Sequence, residues 1–434
     1  MNKLIIGLSI IAATQVFAAS PNDEAKSLQA QQPPLTWAEL GLMRGFPPPA
    51  DKLVTRKNWQ NPPFNRWAFQ HMDQVLRTAH LSRGSGPIAE LPLELRDISR
   101  LTFKTKKGEH SSVNEMLNST YTDSFIVLKD GRIAFEAYFN GMSRDKRHII
   151  QSTSKSLTGS AATILIHEGR LDPNALVTKY IPELADSAYG DVTVRQVLDM
   201  SNSIVWREEY TDPNSEIKRF EQANLWEDYT EIAKKGTYAF LQTLKKDEHD
   251  HGVKFHYATG NTDVVGWLIE RASGQRFTEF FTQRVWSQLG AEHDASISVD
   301  INGFGAGSGG FAMTTRDFAR FGEMMRNNGQ LAGRQILPSG QVIDTVLNGN
   351  NDQFKDTKYA KIFNSPNGFY RNQWWMTGNK HGCYFAVGVY GQLLWIDPTA
   401  GVVIAKFSSW PDAVDVEKGG DTLLMLEAIA AALE

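Results

Sequence analysis

The residue pair in this chain best suited to chemistry is a serine followed three positions later by a lysine. A serine hydroxyl holds its proton too tightly at neutral pH to attack a carbonyl, so a neighbouring base must take it. Residues three apart on a helix face the same way, and a lysine withdrawn from water loses much of its preference for the charged form. The pattern occurs at Ser143/Lys146, Ser152/Lys155 and Ser215/Lys218. Chance alone supplies on the order of one such match in a chain of this composition, so context has to decide. Ser143 sits in a charged patch after a strand, and Ser215 follows the polar run Asp212-Pro213-Asn214. Ser152 alone comes straight after the apolar pair Ile149-Ile150 and opens a long helical pattern, with Leu157, Ala161, Ile164 and Leu165 on one face and Gly169 as its stop. Free N–H groups at such a helix start favour developing negative charge. The plain alternative is that Ser152 only caps a helix and Lys155 is a surface residue, and spacing alone leaves both readings open.

Other catalytic arrangements fail on inspection. No H-E-x-x-H occurs, since His167-Glu168 continues as Gly169-Arg170-Leu171. Ser308 lies in a glycine-rich stretch but has Ala306 where a nucleophile elbow needs glycine. The Gly-rich runs also lack phosphate-binding spacing. The run Asp247-Glu248-His249-Asp250-His251 reads as a solvated loop, with adventitious metal binding as the lesser alternative, and neither a dedicated metal site nor a cofactor is expected. The single Cys383 reads as a small buried hydrophobe.

Elements able to position Ser152 can be read on either side of it. Phe125 to Leu128 and Ile133 to Phe139 flank Asp130-Gly131, a strong hairpin signal. Helices are expected at 193–200, 262–272 and 315–326, the last with Thr314 as its cap and Asp317 three residues on. Strands return at 393–396 and 402–405, and an apolar helix over 422–433 closes the chain. Strands at both ends and helices between predict an α/β fold with one antiparallel sheet assembled from N- and C-terminal segments, flanked by helices, with an inserted mostly helical region and the site at the seam. The expected organisation is a signal peptide at 1–19, an extended N-terminal arm at 20–86 broken by a helix near 66–80, a sheet region at 87–150 and 371–434, and a mostly helical region at 151–370.

The 434 residues carry a formal net charge of −4 with both signs intermixed. There is no polybasic stripe, so nucleic acid is not an expected partner. Met1-Asn2-Lys3, the apolar stretch to Val16 and the small residues around Ala18 have the layout of a secretory leader, with no cysteine at the cleavage point for a lipid anchor. A periplasmic protein without a membrane anchor after processing is expected, and a homodimer is left open.

Several ordered motifs then resemble one family. Q-S-T-S-K-S-L-T-G (151–159) resembles the nucleophile motif of the serine β-lactamase/penicillin-binding superfamily, in its class C and esterase-like branch. F-H-Y-A-T-G-N-T-D (255–263) is similar to its second motif, and W-R-E-E-Y-T-D-P-N-S-E (206–216), N-Q-W-W-M-T-G-N (372–379), Y-G-Q-L-L-W-I-D-P (390–398) and K-F-S-S-W-P-D (406–412) resemble the 6-aminohexanoate-dimer (nylon oligomer) hydrolases. The resemblance implies a β-lactamase/transpeptidase-like fold and a serine hydrolase with Ser152 as acylated nucleophile, Lys155 as its base and Tyr257 as proton relay, its phenol pKa lowered by Lys155. It implies an oxyanion hole from the backbone N–H groups of Ser152 and Val389, with Tyr210, Tyr390 and Glu221 as substrate contacts, Glu221 on a loop as partner of a substrate ammonium. The chain departs from penicillin-interacting relatives at Thr259, where they have asparagine, and at Gly388-Val389-Tyr390-Gly391, where they carry Lys-Thr-Gly; the missing cation argues against efficient β-lactam binding. The expected activity is cleavage of small esters or linear amides. The competing readings are a D-amino-acid peptidase acting on cell-wall peptides and a non-catalytic sensor or binding protein on the same fold.

Overall fold

The computed structural model describes residues 33–434; the leader expected at 1–19 and the arm's first residues lie outside them. Helix α1 (Val113–Ser119) precedes strands β1 (Thr122–Lys129) and β2 (Arg132–Tyr138). The β1–β2 hairpin turns at Asp130 and Gly131, with φ of +48° and +76°, the left-handed pair that an Asp-Gly turn supplies. Helix α2 (Ser154–His167) follows, then α3 (Glu216–Ala223), α4 (Gly260–Ser273) and α5 (Thr315–Arg326). The chain returns through β3 (Phe369–Arg371), β4 (Trp374–Met376), β5 (Tyr384–Gly388), β6 (Gln392–Asp397) and β7 (Val402–Ser408), and ends in α6 (Val416–Leu433).

These strands form one seven-stranded antiparallel sheet in the order β3-β4-β5-β6-β7-β1-β2, so the sheet's last strand in chain order pairs with its first. Side chains alternate across a strand, and both faces are covered here. Ile126 and Leu128 enter the core that holds Phe318 and Phe321 of α5, while Phe125 and Val127 enter the core with Met425, Leu426 and Ile429 of α6. The first of these cores is continuous with that of the helical region, where it includes Leu165, Val264 and Leu268.

Three features differ from expectation. Helix α2 is not amphipathic: Ser154 through Leu165 are all buried, because the helix runs through the centre of the molecule. Its small polar side chains are satisfied by neighbouring backbone, Ser156 Oγ donating to Gln373 O at 2.7 Å and Thr158 Oγ1 to Gly307 O at 2.8 Å. Second, the helix expected near 66–80 is two single turns, Asn65–Ala68 and Met72–Val75, followed by a strand at Thr78–Leu81. That strand pairs with Ala295–Ser298 in a separate four-stranded sheet that also holds Phe311–Met313 and His148–Ile149, a tertiary partner that local pattern does not reveal. Third, the arm does more than wrap the body. Trp59, Trp67 and Phe69 are buried with Trp226, Tyr390 and Trp410, and Trp59 Nε1 donates to Trp226 O at 2.9 Å.

Candidate active site

Ser152 sits on a single tight 3₁₀ turn, Gln151–Thr153, wedged between the short strand His148–Ile149 and α2. It thus precedes the α-helix proper. Gln151 takes a φ of +47°, a left-handed conformation that costs a non-glycine residue about 1–2 kcal/mol. Thr153 Oγ1 donates to Ile150 O at 2.6 Å, and Ile150 N donates to Phe311 O at 2.9 Å, which hold the turn from both sides. The serine is half-buried at the floor of a cleft.

Lys155 lies one turn on, with about 1% of its surface exposed. Its Nζ donates to Ser152 Oγ at 2.9 Å and to Ser308 O at 2.9 Å. Burial lowers its pKa to about 8, against the opposing pull of the Glu208 and Asp263 carboxylates. Such a lysine is poised to accept a proton near neutral pH. The surface-residue alternative for Lys155 does not describe this geometry.

Tyr257, three residues before α4, stacks on Trp375 with ring centroids 5.5 Å apart, and Lys155 Nζ lies 5.2 Å from its ring centre. Here the expected pKa shift is reversed. Burial raises the phenol's pKa well above its ordinary value, Glu208 adds to the rise, and the Ser152 and Thr259 side chains beside the hydroxyl only partly offset it. The tyrosine is therefore a neutral hydroxyl that can donate and relay a proton, not a standing phenolate.

Glycine at position 388 explains how a second backbone donor reaches the serine. A Cβ on Gly388 would stand 2.9 Å from Ser152 N and 3.0 Å from Ile150 O, so the end of β5 lies directly against the nucleophile turn. This brings Val389, the next residue, into the lining of the cleft beside Ser152. Backbone N–H groups aimed at a developing oxyanion make an oxyanion hole, and Ser152 and Val389 lie side by side where one would form.

The cleft opens into a cavity of about 210 Å³ whose wall is largely apolar, including Tyr359, Phe363, Trp375, Phe385, Val387 and Leu423. Of the expected contacts, Tyr210 lines this cavity, its hydroxyl donating to Glu208 Oε2 at 3.0 Å. Glu221 is displaced from its expected setting. It lies on α3 rather than a loop, is 3% exposed, and lines a small adjoining recess of about 20 Å³ with its carboxylate already paired to Lys218. A substrate ammonium would have to compete with that internal cation. Tyr390 also departs from expectation. It adopts a φ of +61° and lines neither space; its ring packs on Phe69 at 5.2 Å within the core of the N-terminal arm. The left-handed twist that carries Val389 past Ser152 turns the next side chain inward.

Two carboxylates were not foreseen. Glu208 lines the cavity, accepting from Thr259 N at 2.9 Å and Trp206 Nε1 at 3.0 Å through Oε1. Asp263 of α4 accepts from Ser308 N at 2.9 Å, the residue whose carbonyl receives Lys155, and burial raises its pKa to about 7. Both lie inside motifs already quoted. Nothing in W-R-E-E-Y says which of Glu208 and Glu209 turns inward.

A seven-stranded antiparallel sheet flanked by helices, with a Ser-Lys pair under a tyrosine at its seam, defines a serine hydrolase of the β-lactamase/transpeptidase-like fold. Residues 117–428 match the Beta-lactamase family, and the chain belongs to it. It is 38% identical over 367 residues to the 6-aminohexanoate-dimer hydrolase of Paenarthrobacter ureafaciens, covering 85% of this chain and 91% of that protein. A Bacillus anthracis protein solved under the 6-aminohexanoate-dimer hydrolase name superposes with a TM-score of 0.79 at 30% identity, covering 89% of this chain and 98% of the other. A D-stereospecific amidohydrolase from a Streptomyces species shares the fold at a TM-score of 0.54 and 18% identity, over 71% of this chain and 93% of its own.

Proposed function

We propose that this chain is an exported hydrolase that cleaves small esters or linear amides through an acyl-enzyme on Ser152. The observation that carries the reading is the 2.9 Å contact between Ser152 Oγ and a buried Lys155 whose pKa has fallen to about 8. Neutral Lys155 takes the hydroxyl proton as Oγ attacks the carbonyl carbon. The oxyanion is held by the Ser152 and Val389 N–H groups. Tyr257 passes its proton to the departing oxygen or nitrogen and is resupplied from the Lys155 ammonium. Water then repeats the sequence on the ester, releasing the acid and restoring Ser152.

The cavity supports an apolar acyl or amine chain, and a linear amide of ω-amino acids of the kind named for the relatives is the sharper substrate proposal. The test is a panel of short-chain nitrophenyl esters, a linear ω-aminoacyl amide dimer and a D-alanyl peptide. Ester and linear-amide turnover with an inert D-peptide is the expected result. Turnover of the D-peptide alone would replace this reading with the cell-wall peptidase one, and rapid acylation without release would favour the sensor. Export rests on the N-terminal pattern, and N-terminal sequencing of protein from the periplasmic fraction tests it.

The depressed lysine also sets the pH dependence. Because the neutral amine is the base, kcat/KM for an ester should rise with pH through a midpoint near 8. The Glu208 charge opposes the fall in the Lys155 pKa, so Glu208→Gln should move that midpoint to lower pH. A pH–rate profile of both proteins checks the direction, and a midpoint that stays put or moves up contradicts it.

A further inference from the structure

Within the run Asp247–His251, Glu248 and Asp250 are exposed as expected, while Asp247, His249 and His251 are half-buried and the segment is tied to the body. Gly252 N donates to Ser201 O at 2.7 Å, His256 N to Met200 O at 2.7 Å, and Ser203 N to His251 Nδ1 at 2.8 Å. This folding places one donor atom each from Asp247, His249 and His256 within 4.8 Å of one another. Tetrahedral zinc with bonds near 2.0–2.1 Å holds its ligand atoms about 3.3 Å apart. Asp247 Oδ2 and His249 Nδ1 already stand at that spacing, 3.3 Å apart, with His256 within 4.8 Å of both.

The partner of the His256 ring favours ligation. His256 Nε2 lies 3.2 Å from Trp206 O, a carbonyl that can only accept, so Nε2 carries the proton and Nδ1 presents its lone pair. His249 Nδ1 faces Asp247 Oδ2 at 3.3 Å and Ser203 Oγ at 3.4 Å, and its buried Nε2 meets no hydrogen-bond partner.

We propose that Asp247, His249 and His256 form a site for a zinc-class divalent cation, with two imidazoles, one carboxylate and a fourth position left to water. His256 directly precedes Tyr257, and its ring contacts the carbonyl of Trp206, whose indole donates to Glu208. A bound ion therefore ties this loop to two segments that line the active-site cavity. Proton donors of the acyl-transfer site are not used as ligands, so the site stands whether or not the hydrolytic reading holds.

A second trio, His381, Cys383 and Asp397, is less available. His381 Nδ1 already binds Asp397 Oδ2 at 2.9 Å, Ala400 N occupies Asp397 Oδ1 at 2.8 Å, and burial pushes the Cys383 thiol up.

The test is calorimetric titration of zinc chloride into the full-length mature protein after chelator dialysis, beside His249→Gln, Asp247→Asn and Cys383→Ser. One zinc per chain is expected. The first two variants should weaken it by more than the about 10–100-fold that follows loss of an outer-shell partner, and Cys383→Ser should leave it unchanged. Circular dichroism and metal-free ester turnover establish that the variants are folded. Absent saturable binding, equal binding by His249→Gln, or loss only in Cys383→Ser would each overturn the assignment.

Discussion

Ser152→Ala and Lys155→Met should each reduce kcat for a short-chain nitrophenyl ester by at least about 10⁴-fold, and the double variant should be little worse than either alone. Groups that act as one unit fail together, because the nucleophile without its base and the base without its nucleophile are equally idle. Methionine keeps most of the lysine's volume in a site that is 1% exposed, so the packing around α2 survives. It also removes an amine whose charged form burial disfavours, so the melting temperature should hold or rise while turnover collapses. Steady-state kinetics and thermal melts on the same preparations separate these effects. A lysine that only supported the fold would show the reverse pattern, lower stability with turnover retained.

Gly388→Ala should cost about 10²–10³-fold in kcat with little change in KM, the loss that follows disruption of one oxyanion donor. The added carbon would meet Ser152 N at 2.9 Å and Ile150 O at 3.0 Å, and both are backbone atoms that cannot rotate aside. Either β5 retreats and takes Val389 N–H with it, or the nucleophile turn shifts and Oγ loses its line to Lys155. An overpacking cost of about 1–3 kcal/mol in stability should accompany the change and leave the protein folded. Urea unfolding beside ester kinetics tests this. Full activity in Gly388→Ala would remove the close approach from the mechanism.

Much of this is legible in the sequence because the information is local. The Asp130-Gly131 turn, the strands around it, α4 and the capped α5 follow from turn chemistry and periodicity within a few residues. The Ser152–Lys155 spacing is local too, but three such pairs occur and it is the ordered motifs around this one that single it out. What failed depends on the far side of a contact. The burial of α2 on every face is set by segments that pack on it from distant parts of the chain, and its own sequence shows only an apolar stripe. The strand at Thr78–Leu81 exists because Ala295–Ser298 is there to pair with it. Glu221 and Tyr390 carry suitable chemistry at suitable places in their motifs, yet an internal lysine satisfies one and a left-handed backbone turns the other inward. The raised phenol pKa of Tyr257 could not be read either. Lys155 Nζ is close, 5.2 Å from the ring centre, yet burial first and the Glu208 carboxylate second raise the phenol's pKa.

The most direct measurement is intact-mass and peptide mass spectrometry of the protein quenched in acid during turnover of a nitrophenyl ester. A species heavier by the acyl group less one hydrogen is expected, located on the peptide containing Ser152 and missing from Ser152→Ala. An adduct on another residue, or sustained turnover in Ser152→Ala, would contradict it.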